Sequence, residues 1–186
     1  MTHLVYRNDL KSIQELYDLH QGMKRQIQFC DGLDLSNNML YDLSGLPDKM
    51  IGILDLSNNA IANLAGLPKS VYQLDLSHNP IVSLTGISKK ITTALLVSHC
   101  PLIDVSDLFN SAINSKNSLQ VIISYNAELA ILPLVKFNIY IRETDITNDF
   151  CQIYYKFDQN PSKENIINCQ MALIQNGFEQ NARWKP

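Results

Sequence analysis

The sequence reads as an α/β solenoid, with a parallel sheet on the concave face, loops and short helices on the convex face, and helical caps at both ends. The hexapeptide Leu33-Asp34-Leu35-Ser36-Asn37-Asn38 returns as Leu54 to Asn59 and as Leu74-Asp75-Leu76-Ser77-His78-Asn79, so starts at 33, 54 and 74 give steps of 21 and 20. Each copy continues alike, as in Asn38-x-Leu40-x-x-Leu43-x-Gly45-Leu46-Pro47. A fixed period of this size marks stacked repeats, because no single unit can bury its own apolar face. Segments with helical spacing flank the repeats on either side. These observations divide the chain into an N-terminal helical cap (1–29), about six repeats (30–147) and a C-terminal helical cap (148–186).

The N-terminal cap is expected as a helix over 8–20, capped by Asn8 or Asp9, with Leu10, Ile13, Leu16 and Tyr17 on one face. It would cover the naked cross-section that the first repeat otherwise exposes. Within a repeat, Leu33 and Leu35 lie two apart and share the inward face of a strand, while Asp34 and Ser36 point outward. Asn38, Asn59 and Asn79 come where the chain leaves the strand, placed to donate and accept hydrogen bonds within the turn.

The fourth unit, Leu95-x-Val97-x-x-Cys100-x-Leu102, carries Cys in the Asn position, a structural role in which the thiol donates weakly. A longer return at 106–117, with Ser106 as helix cap, separates it from the fifth, Val121-x-Ile123-x-x-Asn126, continued by Leu129 and Leu132. The sixth is Ile139-x-Ile141-x-x-Thr144-x-Ile146. Phe150, Ile153, Tyr154 and Phe157 then predict one helix. Ser162 starts a second, which Gly177 ends.

Composition narrows the function classes. Hydrophobic residues make up 46% of the chain and charged residues 18%, with net charge −3 and no run of like charge. Scattered charge argues against nucleic acid as a partner. No stretch reaches the roughly 18 apolar residues that would predict membrane insertion. The N-terminal residues lack the apolar core of an export signal, and Cys30, Cys100, Cys151 and Cys169 form no C-x-x-C pair. Reduced thiols in a cytosolic setting follow, with no metal, cofactor or disulfide framework expected.

The hexapeptides and their Gly-Leu-Pro continuations resemble the leucine-rich-repeat family in its short-unit form, and are similar to leucine-rich-repeat effectors of intracellular bacterial pathogens. The resemblance covers about residues 30–147. It implies a ladder of Asn side chains along the stack and a concave protein-binding face. It also implies that the cytosol concerned can be a host's, reached by a specialised secretion system. Some such effectors carry a separate ubiquitin-ligase domain with a catalytic Cys-x-Asp. Here Cys30 is followed directly by Asp31 and the chain has no room for that domain, so the activity does not carry over.

On the concave face the outward side chains should form columns. One reads Asp34, Asp55, Asp75, Leu96, Ile122, Tyr140. The next reads Ser36, Ser57, Ser77, Ser98, Ser124, Arg142, and the one beside it Asn37, Asn58, His78, His99, Tyr125, Glu143. Asp and Ser in the first units are the family's common choices. The departures Leu96, Ile122, Tyr125, Tyr140, Arg142, His78 and His99 are therefore the candidate partner-binding residues, with the composition of interface hot spots. A competing expectation is that the C-terminal cap folds over them.

Six strands about 4.8 Å apart, each exposing about five residues, present on the order of 400 Å². A standard interface takes about 800 Å² per partner. A non-catalytic module binding another protein is the expected function, ahead of an assembly subunit that makes contact through an edge or a cap. A hydrolase built from Asp75, Ser77, Ser98, His78 and His99 ranks last, because an open sheet offers no oxyanion pocket or water-excluding cleft.

Overall fold

The computed structural model describes residues 2–6, 9–105, 107, 119–124, 138–142, 148–158 and 162–183, with 138–142 traced in backbone. Seven parallel strands lie in chain order in one sheet: β1 (His3–Val5), β2 (Gly32–Asp34), β3 (Ile53–Asp55), β4 (Ser70–Asp75), β5 (Lys90–Val97), β6 (Gln120–Ser124) and β7 (Asn138–Arg142). Four helices complete the described α/β architecture: α1 (Ile13–Leu19), α2 (Met23–Phe29), α3 (Asn148–Asp158) and α4 (Lys163–Gln175). Among the described residues no helix is long and apolar enough to cross a membrane.

Alternation explains the strands and their register. Leu33, Leu54, Leu74, Leu95, Val121 and Ile139 pair across successive strands. Leu35, Leu40 and Leu43, with their counterparts Leu56, Ile61 and Leu64 and then Leu76, Ile81 and Leu84, are buried in the same core. Each of the first five units thus adds a layer of branched side chains to a continuous interior. β5 carries one residue more than β4 between Ile91 and Ala94, and the register shifts to absorb it, since Val71 pairs with Ile91 but Gln73 with Ala94. After each return, Gly45, Gly66 and Gly86 turn the chain with positive φ. At Gly66 a side chain would also collide with the Leu43 backbone.

The N-terminal segment differs from the expected single capping helix. Its first residues form β1, which pairs with β2 from His3↔Gly32 to Val5↔Asp34 and extends the sheet by one strand. The helix begins only at Ile13, and its cap is Ser12, whose hydroxyl accepts from the Glu15 N–H; Asp9 does not serve, and Asn8 lies outside the described residues. The reason is lateral. Leu10 N–H is held by Asn38 Oδ1 at 3.0 Å and Ser12 bridges Asp42, so residues 10–12 run extended beside the next unit. A second helix, α2, follows and returns the chain to β2.

At the other end both expected helices are present. Phe150 and Tyr154 of α3 and Ile166, Cys169 and Leu173 of α4 join the common core. Ser162 Oγ caps α4 by accepting from Asn165 N–H, and Gly177, with φ 81°, ends it. Of the expected return helix over 106–117 the described residues include Asp107 alone, and Leu129 and Leu132 of the fifth unit and Thr144 and Ile146 of the sixth lie outside them.

Candidate functional site

Strand register assembles the first outward column residue by residue: Val5, Asp34, Asp55, Asp75, Leu96, Ile122 and Tyr140 stand side by side. Each Asp closes its own turn. Asp34, Asp55 and Asp75 Oδ1 accept from the N–H of Ser36, Ser57 and Ser77, all at 2.9 Å. A side chain that mimics a backbone turn in this way is structural in purpose. Leu96 and Ile122 cannot do it. They stand half-buried at this position, and Tyr140 is next to Ile122 on β7. Three of the seven predicted site residues therefore lie on adjacent strands in one line.

The serine column does not face solvent as expected. Ser36, Ser77, Ser98 and Ser124 are buried. Their hydroxyls are drawn into the stack: Ser77 Oγ accepts from Ser98 N–H at 3.2 Å, and Ser124 Oγ from His99 N–H at 2.8 Å. Arg142 enters the site through its backbone, which pairs with Ser124.

The third column leaves the strand altogether. Asn37, Asn58, His78 and His99 all adopt the left-handed conformation, with φ between 54° and 57°, which Asn and His tolerate better than most residues. All four are exposed. They form lateral pairs, with Asn58 Nδ2 donating to Asn37 Oδ1 at 2.7 Å and the His78 and His99 rings stacked at 4.3 Å and 18°. Tyr125 lies outside the described residues. The imidazoles thus face each other, while Ser98 Oγ is buried with no hydrogen-bond partner among the described residues.

Below the columns runs the Asn ladder. Asn79 is typical: Nδ2 donates to Leu56 O, Leu76 O and Ser77 O, and Oδ1 accepts from Ile61 N–H at 3.0 Å. Cys100 continues it with one short contact, Sγ to Leu76 O at 3.3 Å. Burial pushes its thiol up to about 11, so the proton stays and the sulfur is no nucleophile at neutral pH. Burial likewise raises the Cys30 thiol. Among the described residues no group of three or more His, Cys, Asp and Glu could hold a metal ion.

No known family, curated protein or solved structure matches this chain.

A second surface was missed in the sequence. After each ladder residue the chain alternates outward, inward, outward. The outward positions are Met39 and Tyr41 in the first unit and Ala60 and Ala62 in the second. In the next two they are Pro80 and Val82, then Pro101 and Ile103. All eight are exposed and none is charged. Backbone bonds lock this flank together, as Tyr41 N–H donates to Lys11 O, Ala60 N–H to Leu40 O and Ile103 N–H to Val82 O. The signal was available in the letters flanking each inward Leu or Ile, which the repeat pattern treats as unspecified.

Proposed function

We propose that this chain is a non-catalytic protein-interaction module of the leucine-rich-repeat type, a solenoid with a capping segment at each end. Its sheet would be the concave recognition face, and an effector or adaptor acting in a cytosol is the role the resemblance suggests. The observation that carries the proposal is the line Leu96, Ile122, Tyr140. At the position where three earlier units place a turn-closing carboxylate, three successive strands carry apolar or aromatic residues instead. Leu96 and Ile122, half-buried and closing no turn, have the character of interface anchors. His78 and His99 would border this line.

The reading is tested by affinity capture from the native cell with wild type and with Leu96→Asp combined with Tyr140→Ala. Loss of the captured partner from a variant that still unfolds cooperatively is the expected result. Full retention would move recognition to another surface, and turnover of ester, phosphate or ubiquitin substrates would replace the reading with an enzyme.

A further inference from the structure

Four lysines that the sequence scatters are gathered by the stack. Lys49, Lys69 and Lys89 recur at steps of 20, the length of a unit, and Lys90 follows at once. Backbone pairing sets them in two rows at the edge that leads into β3, β4 and β5. Lys49 bridges Ser70, which pairs with Lys90, so one row reads Lys49, Ser70, Lys90. In the other, Lys69 N–H donates to Asp48 O at 2.7 Å, and the same register brings Lys89 beside Lys69. All four lysines are exposed. With units about 4.8 Å apart, the rows span on the order of 10 Å.

Charge gives this edge a direction. Four lysines and one aspartate make +3 in a chain of net −3, so the remainder carries −6. Such polarity turns the edge toward an anionic partner. Lys69 Nζ meets Asp48 Oδ2 at 2.9 Å, but the two side chains are 67% and 76% exposed, and so open a bond exchanges readily. Lys49, Lys89 and Lys90 make no ion pair among the described residues.

Apolar neighbours decide the kind of anion. Ile51 and Tyr72, 63% and 46% exposed, each stand two residues beyond the first row, with buried Met50 and Val71 between. Alternation places them on the outer side with that row. A soluble phosphate or a nucleic acid has no hydrocarbon to receive an isoleucine, whereas a bilayer offers anionic headgroups and acyl chains together. Tyr72 suits the boundary, its ring apolar and its hydroxyl wet. The cations are all lysines, flexible point charges that suit a fluid array of phosphates better than the fixed acids of a protein. We propose that this edge adsorbs to an anionic phospholipid surface, with the four lysines against the headgroup phosphates and Ile51 and Tyr72 dipping between them. Adsorption is peripheral and reversible, since so few side chains make a weak anchor. It uses none of Leu96, Ile122 or Tyr140, and it stands whether or not that line binds a protein.

Vesicle flotation of the full chain provides the test, with phosphatidylcholine alone and with equimolar phosphatidylcholine and phosphatidylserine. The wild type is expected to float with the mixed vesicles only, and added salt should release it. Each lysine near such a surface contributes about fivefold, so Lys89→Gln combined with Lys90→Gln should weaken binding about 25-fold. Ile51→Ser leaves the charge intact and should weaken binding about tenfold. All three positions are exposed, so thermal unfolding should be unchanged. A wild type that ignores the mixed vesicles, or a lysine variant that binds them as well as wild type, would overturn the proposal. Full binding by Ile51→Ser, or capture of polyuridylate in place of vesicles, would also overturn it and point to a soluble polyanion.

Discussion

The third and fourth units are neighbours with nearly the same backbone, yet they hold their turns by different chemistry. In the third, Asp75 closes the turn and Asn79 makes four side-chain bonds, three as donor and one as acceptor. In the fourth, Leu96 closes nothing and Cys100 offers only a weak donor. The backbone groups that lose partners are not abandoned. Ser98 N–H turns to Ser77 Oγ, His99 N–H to Ser124 Oγ, and Ile81 N–H to Asn79 O within its own unit at 2.8 Å. Satisfaction of buried polar groups is thus a property of the stack, which neighbouring units can supply when one defaults. That freedom is what allows the fourth unit to replace a structural Asp with an apolar side chain.

If the units differ in this way, Asn79→Ala should be the most damaging change. Asn79 is 2% exposed, and its loss strands Ile61 N–H together with the carbonyls it serves. The expected cost is about 3 kcal/mol, since each orphaned buried group costs about 1–3 kcal/mol. For a chain of this length that lowers Tm by roughly 6–12 °C, measurable by circular dichroism or calorimetry. An unchanged Tm would mean that the ladder is decorative and the contrast between units empty.

A smaller effect comes from pH. Folding raises the Cys100 thiol from its ordinary 9.0 to about 11 by burying it. The folded chain therefore holds this proton more tightly than the unfolded chain does. Its contribution is fully present below about 9 and is lost as pH rises through about 11, on the order of 2 kcal/mol. Cys30, Tyr6 and Tyr17 are shifted in the same direction by burial, so the informative quantity is the difference between wild type and Cys100→Ala. Denaturant unfolding at several pH values between 8 and 11 should show that difference narrowing with rising pH. A constant difference would place the thiol in contact with solvent.

The sequence was most legible where the stack is most regular. Two Leu residues at i and i+2 followed by Asn at i+5 locate β2, β3 and β4, and weaker versions of the pattern still locate β5, β6 and β7. What the letters conceal is whatever a neighbouring unit decides. Ser98 looks outward by alternation, but it is buried because the adjacent serines and backbone close around it. His78 looks like part of a strand column, yet it sits in the left-handed turn that Asn37 and Asn58 occupy in earlier units. His3–Val5 carries no Asn motif, so only its pairing to β2 reveals it as a strand.

The smallest expected effect is the most exacting, because it asks whether the ladder residue can be swapped in both directions at equal cost. Asn79→Cys should destabilise by about 1–2 kcal/mol, since Ile61 N–H has Asn79 Oδ1 as its acceptor and a thiol replaces it poorly. Cys100→Asn should change stability by less than about 0.5 kcal/mol, below the usual value of a new hydrogen bond. Ile81 N–H, the group a new carboxamide oxygen would serve, already donates to Asn79 O, so the added acceptor exchanges one bond for another. Paired unfolding curves for the two variants measure this asymmetry. Equal and opposite shifts would show each unit to be an independent module. Unequal ones would show that the turn after β4 has adapted to the sulfur beside it, and that the departures at Leu96 and Cys100 belong to one coordinated local rearrangement.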